Sequence, residues 1–177
     1  MINPNDIEIR RLNENDFGLL ANYLADLSEK TRQRFAPHSF LQLDLEAYYA
    51  DFQINIGYVG LYESKIIAYS IIKLGYLPKD FQRFQSYGIL LPESEVCTFA
   101  PSVADAWQGK GMGEKIFHFI CQDLSDLPLQ WMILWGGVQS SNQNALKYYQ
   151  KLGFQTVGCF ERAGVANQDM LFRLTKA

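Results

Sequence analysis

The sequence predicts a mixed α/β domain, on three observations. Segments with helical apolar spacing alternate with short strand-like segments. Trp131–Trp135 is an uninterrupted apolar run of strand length. A glycine-rich turn, Gln108–Gly113, stands between a strand pattern and an amphipathic helix pattern.

The elements are justified in chain order. Ile7–Leu12 reads as a first strand. A helix follows from about Glu14, with Phe17, Leu20, Ala21, Leu24 and Leu27 at helical spacing. Ser28–Phe40 is mixed and basic, carrying Arg32, Arg34 and Pro37. Leu43–Phe52 reads as a second helix started by Asp44. Gly57–Tyr62 and Ile66–Lys73 flank Glu63-Ser64-Lys65 as a hairpin. Gly75–Ser94 is aromatic and interrupted by Pro78 and Pro92, which predicts an elaborated loop. Val96–Val103 reads as a strand in which Pro101 marks an edge, a bulge or a splayed end, because proline lacks the amide a strand interior needs.

Beyond the glycine turn, Ile116, Ile120, Leu124 and Leu127 form the stripe of a helix closed by Pro128. Trp131–Trp135 predicts a strand covered on both faces. Ser141–Leu152 is a helix with Ala145, Tyr148, Tyr149 and Leu152 on one face, ended by Gly153. Phe154–Phe160 and Met170–Thr175 close the domain as strands, giving the order β-α-α-β-β-β-α-β-α-β-β.

A chain of 177 residues suits one domain, spanning 1–177, with a sizeable core. With 48% hydrophobic and 20% charged residues it reads as globular. The formal net charge of -3 argues against DNA or RNA as the main partner, since neutralising phosphates needs a basic face. Met1–Asp6 holds no basic stretch followed by an apolar one, and no apolar run approaches the roughly 18 residues that span a bilayer. Cys97, Cys121 and Cys159 are odd in number and widely spaced, suggesting neither a disulfide framework nor a metal cluster. A cytoplasmic protein with no membrane partner and no metal is the expectation.

Gly109, Gly111 and Gly113 alternate within the turn that opens a helix. Glycines let a backbone approach a ligand and aim successive amides at one point, and a helix N-terminus adds partial positive charge. Together these describe a phosphate site. The spacing is not the dinucleotide GxGxxG fingerprint, and no Lys-Ser/Thr pair follows as a P-loop requires.

The stretch Pro101–Gly113, with Gln108-Gly109-Lys110-Gly111-Met112-Gly113, resembles the acetyl-CoA-binding motif Q/R-x-x-G-x-G/A of the GNAT superfamily of N-acetyltransferases. Downstream, Asn142–Phe154 is similar to that family's second signature, N-x-x-A-x-x-x-Y-x-K-x-G-F. A nucleotide-phosphate-binding domain unrelated to the family leaves this second stretch unexplained. One departure stands out: Asp105 occupies the position, three residues before Gln108, where the family often has proline.

The resemblance implies a mostly antiparallel central sheet flanked by helices and splayed at the fourth and fifth strands. It implies that main-chain amides of Gln108, Gly109, Lys110, Gly111, Met112 and Gly113 bind the CoA pyrophosphate. The backbone at Ser102 and Val103 would pair with pantetheine as an added strand does. Asn142 would touch the cofactor arm, and Lys110, Lys147 and Lys151 would attract the ribose phosphate. The acceptor would be an amine, on a small molecule or a protein, and the protein a monomer or homodimer.

Acetyl transfer needs a proton acceptor for the amine, a polarised thioester carbonyl and a proton for the leaving thiolate. Tyr149 matches the family tyrosine that protonates the sulfur, with an expected ordinary pKa near 10. An amide near Val103 is the oxyanion candidate by resemblance. Glu95, expected to begin the fourth strand, is the candidate base, with a water chain as the alternative. Cys97 has no nearby histidine to activate it. His38 falls where acceptor-side loops lie in the family, whereas His118 sits within a helix. A non-catalytic acyl-CoA sensor of the same fold is the competing reading, against which Tyr149 argues.

Overall fold

The computed structural model describes residues 6–35 and 37–175; most of the Met1–Asp6 stretch read above lies outside them. The chain divides into two compact units, each drawn from two stretches: Met1–Ile72 with Ala100–Gln122, and Lys73–Phe99 with Asp123–Ala177.

In the first unit, β1 (Glu8–Arg11) pairs antiparallel with β2 (Asn55–Tyr62), from Glu8 opposite Leu61 to Arg11 opposite Tyr58. Asn13 caps the short 3-10 turn Glu14–Asp16 that leads into α1 (Phe17–Asp26), and Asp16 accepts from the Asn13 amide in return. Asp16 also receives Arg10 through two hydrogen bonds, 2.6 and 2.8 Å long. That pair holds its carboxyl below the usual carboxylate range. α1 buries Phe17, Leu20 and Leu24, with Leu27 just past its end, along the expected stripe. Each such side chain contributes roughly 1.5–3 kcal/mol on leaving water.

A further helix, α2 (Glu29–Arg34), forms where the sequence reads as irregular. Ser28 caps its first turn, and Arg32 reaches back to the carbonyls of Ala25 and Leu27 that α1 leaves open. α3 (Gln42–Tyr48) starts after Leu41 rather than at Asp44, which lies inside the first turn where its charge suits the helix dipole. β2 and β3 (Lys65–Leu74) are joined by Glu63 and Ser64, both at positive φ, as a two-residue hairpin turn of matching twist requires. β4 (Val96–Val103) ends in this unit, where the Ala104 amide donates to the Ile67 carbonyl. α5 (Met112–Asp123) buries Met112, Ile116, Phe117 and Ile120 and stops well before Pro128, so the proline does not close it.

In the second unit, the first half of β4 runs parallel to β5 (Trp131–Leu134), Val96 opposite Trp131 and Phe99 opposite Leu134. Met132, Ile133 and Leu134 are buried, which accounts for the unbroken apolar run. Pro101 falls beyond the last registered β4–β5 pair, where a missing amide is tolerated. β5 pairs antiparallel with β8 (Val165–Arg173), which also carries the two-residue β6 (Val138–Gln139) and the long β7 (Gln155–Arg162), both antiparallel. α6 (Gln143–Leu152) ends at Gly153 with φ 101°, a left-handed cap that glycine supplies without strain.

The predicted loop Gly75–Ser94 contains α4 (Asp80–Ser86). Tyr76 and Phe84 pack with Val96 and Ile133 into a small core. Arg83 fastens α4 to Asp169 on β8 through bonds of 2.5 and 2.8 Å, and Tyr87 donates to the same carboxylate at 2.9 Å. The architecture is a mixed, mostly antiparallel sheet with flanking helices. Among the described residues no helix is long and apolar enough to cross a membrane.

Candidate functional site

The glycine turn is shaped by its backbone. After β4, the Trp107 amide donates to the Ala104 carbonyl at 2.7 Å, closing a 3-10 turn over Asp105–Trp107. The Trp107 ring leans on Tyr62, their centroids 5.0 Å apart, and Lys110 Nζ sits 5.6 Å from the Trp107 ring. Gly109 and Gly111 then take φ of 72° and 79°, conformations that side chains resist. A Cβ built on either would meet nothing within 4 Å, so the outer face of the turn has room for a ligand.

α5 starts at this turn. The Lys115 amide donates to the Gly111 carbonyl at 3.1 Å. The amides of Met112, Gly113 and Glu114 precede it, in the first turn that a helix leaves without intrahelical acceptors. Backbone donors at the positive end of a helix of this length suit a phosphate. Met112 anchors the turn: its side chain is buried, and a Cβ on Gly60 of β2 would lie 3.1 Å from its Cε. Its backbone, not its thioether, is therefore what a ligand can meet.

The Gln108 side chain donates to the Val103 carbonyl at 3.1 Å and to Thr31 Oγ1 at 3.4 Å. Ser102 is buried; Tyr23 donates to its Oγ at 2.9 Å, and that Oγ donates to the Tyr69 carbonyl at 3.1 Å. Both side chains are thus braces, leaving their main chain for a ligand. Asp105, noticed in the sequence only as a departure from the family pattern, accepts three hydrogen bonds, from Ser28 N, Ser28 Oγ and Thr31 Oγ1.

Glu95, Tyr149, Asn142, Lys147 and Lys151 lie in the second unit. Glu95 closes a 3-10 turn, Glu93–Glu95, just before β4 rather than opening the strand; Pro92 sets that turn. It is half-buried, and its carbonyl accepts from the Gln130 amide at 2.9 Å. Tyr149 lies on α6 between Tyr148 and Phe154, with ring centroids 5.1 and 5.5 Å away. Its hydroxyl does not keep the ordinary phenol pKa expected from sequence: burial, seconded by Tyr148, pushes it up. Asn142 is the N-cap of α6, its Oδ1 accepting from the Ala145 amide at 3.3 Å. Lys147 and Lys151 are exposed on the same helix.

His38 belongs to a buried aromatic cluster of the first unit. Its Nδ1 stands 2.6 Å from the Ser39 carbonyl and must carry the proton, so its Nε2 accepts from Tyr69 Oη at 2.8 Å. Tyr69 in turn meets Tyr49 Oη. Burial lowers the His38 pKa, which keeps the ring neutral. Cys97 is buried, and all three cysteines are thiols. Among the described residues no group of three or more His, Cys, Asp or Glu side chains could hold a metal ion.

A family model described as an acetyltransferase (GNAT) domain matches residues 90–174. The strand order, the glycine turn and this match agree. The chain has the fold of the GNAT superfamily of acetyltransferases. Solved GNAT structures superpose over almost the whole chain. An acetyltransferase of the GNAT family from Streptococcus pneumoniae is 17% identical with a TM-score of 0.74, covering 96% of this chain and 99% of that one. The yncA protein from Salmonella typhimurium, solved with its cofactor acetyl-CoA, is 16% identical at a TM-score of 0.71, covering 97% and 96%. The ribosomal-protein-S18-alanine N-acetyltransferase from Escherichia coli is 15% identical at 0.63, covering 97% and 96%. A search of curated proteins gave no match. At these identities the GNAT fold is what the likeness conveys.

Proposed function

We propose that the protein is an N-acetyltransferase that moves an acetyl group from acetyl-CoA to a primary amine by direct attack in a ternary complex. One observation carries the reading: the left-handed Gly109 and Gly111 immediately ahead of the twelve-residue α5, with open space beside both. The main chain from Gln108 to Gly113 receives the pyrophosphate of CoA, and the backbone at Ser102 and Val103 receives the pantetheine.

In the reaction, the neutral amine attacks the thioester carbonyl carbon, forming the C–N bond as negative charge gathers on the carbonyl oxygen. A main-chain amide near Val103 stabilises that oxygen. The C–S bond then breaks and the sulfur leaves with the electron pair. Tyr149 supplies the donor for that thiolate; with its pKa raised, the phenol is fully protonated at any working pH and serves first as a hydrogen-bond donor. Glu95 takes the proton released by nitrogen, directly or through a water. The segment Gly75–Ser94 contributes to selecting the acceptor amine, and α4 makes it a fixed surface, since Arg83 and Tyr87 hold it to β8.

A panel of amines offered with acetyl-CoA, following free thiol, tests the proposal. Release of CoA that depends on one amine class, with acetylated product by mass, is the expected result. CoA binding without turnover on any amine would assign the chain to an acyl-CoA sensor instead.

A further inference from the structure

The segment from Ala104 to Gly111 lies between the end of β4 and the start of α5. Its main chain closes the 3-10 turn Asp105–Trp107 and ties Ala104 to Ile67, and from there to α5 it contains two glycines, the residues with most backbone freedom to lose. Beyond these, its order comes from side chains: like Gln108, Asp105 reaches a partner 77 residues back along the chain. Its Oδ2 accepts from the Ser28 amide at 3.0 Å; its Oδ1 accepts from Ser28 Oγ and Thr31 Oγ1, both at 2.8 Å. The partners sit at a stiff place. Arg32 caps the end of α1 through the Leu27 and Ala25 carbonyls, and Ser28 caps the start of α2 through the Thr31 amide. Gln108, the first residue of the glycine turn, adds a second strut to Thr31 Oγ1 at 3.4 Å.

We propose that Asp105 is a positioning residue that holds the glycine turn in its ligand-ready shape by tethering it to the α1–α2 corner. The inference rests on the reading that this turn binds the CoA pyrophosphate. The Ser28 amide, aided by both hydroxyls, holds the Asp105 carboxyl below its usual range, so the tether is charged throughout the neutral range. Three donors on one carboxylate leave it with one orientation. A turn ordered before the ligand arrives avoids the ordering cost at binding. The linkage is reciprocal: a ligand that steadies the turn also steadies the corner, where α2 begins.

The test is CoA binding by calorimetry, paired with hydrogen exchange of the Ser28–Phe35 amides with and without CoA. In the unmodified protein, CoA slows exchange over Ser28–Phe35. Asp105→Ala weakens CoA roughly three- to tenfold, the loss expected when one or two side chains must be ordered on binding. It also removes the CoA-dependent protection. Asp105→Asn, which keeps one accepting oxygen, falls between. Ser28→Ala combined with Thr31→Val removes the two hydroxyl donors and leaves the Ser28 amide, so it reproduces part of the loss and adds nothing further to Asp105→Ala. The tether is overturned if the unmodified protein binds CoA while Asp105→Ala binds it equally well, or while exchange over Ser28–Phe35 responds alike in both. It is overturned too if the two sets of changes multiply. Failure of the unmodified protein to bind CoA is a different result, and removes the pyrophosphate reading together with the tether.

Discussion

Replacing Asp80 and Asp169 one at a time has unequal consequences for stability, although both touch Arg83. Asp169 accepts from Arg83 Nε and Nη2 at 2.5 and 2.8 Å and from Tyr87 Oη at 2.9 Å. Asp80 meets Arg83 Nη2 through Oδ1 at 2.9 Å, while its Oδ2 is buried with no hydrogen-bond partner. The side chains of Asp80 and Asp169 are 3% and 1% exposed, and that of Arg83 is 17% exposed. Two carboxylates against one guanidinium leave an excess negative charge in a dry place. Burial accordingly pushes the Asp80 carboxyl up, against the opposing pull of Arg83. A folded pKa above the unfolded one means that Asp80 supports the fold most at pH below the unfolded value, about 3.9. That support declines as pH rises through the folded value. At neutral pH, then, Asp80→Asn changes stability by no more than about 1 kcal/mol and can raise it, because a buried charge is removed and Asp169 still holds Arg83. Asp169→Ala takes away three hydrogen bonds at once and costs about 3–5 kcal/mol, a large part of an ordinary folding free energy. Urea unfolding of the three proteins at pH 7 and pH 5 reads both effects. An Asp80→Asn loss as large as that of Asp169→Ala would refute the reasoning.

Three further outcomes are expected. Tyr149→Phe lowers turnover on the identified acceptor by about 10²–10⁴ while leaving acetyl-CoA affinity within a few-fold; unchanged turnover would make the tyrosine packing alone. Glu95→Gln lowers kcat/KM by a similar factor of about 10²–10⁴, and the loss shrinks at high pH where the acceptor is already neutral; a loss uniform with pH and matched by a lower Tm would make Glu95 structural. His38 has a folded pKa below its unfolded value of about 6.5, so its contribution is complete above that pH and is lost as pH falls below it. The melting temperature of the unmodified protein therefore drops between pH 7 and pH 5.5, and His38→Gln lessens the drop. Equal pH dependence in both would remove the neutral, half-buried histidine from the account.

The elements with a periodic apolar pattern were legible, and those held by distant partners were not. The α1 stripe, the Trp131 run and the hairpin at Glu63-Ser64 follow from local spacing and turn chemistry. α2 has no apolar stripe; it exists because Ser28 and Arg32 cap the two helix ends beside it. α4 was hidden by its flanking prolines, and its partner, Asp169, is 86 residues away in sequence. A two-residue strand such as β6 carries too few residues for a pattern. The glycine turn was readable because left-handed backbone demands glycine. What sequence could not give was the direction of its side chains: Met112 faces the core and Gln108 faces Thr31. The signal for Asp105 was present as an aspartate in a proline's position, but its donors, Ser28 and Thr31, become neighbours only in the fold.

Titration calorimetry of CoA against the unmodified protein and Gly111→Asp bears most directly on the acetyl-CoA reading. Aspartate tolerates the left-handed backbone better than most residues, so the change chiefly places a negative charge where the pyrophosphate is to sit. Saturable binding to the unmodified protein, and none to Gly111→Asp with its Tm preserved, is the predicted result. No heat of binding to the unmodified protein at CoA up to about 1 mM, or equal binding by the two proteins, would contradict it.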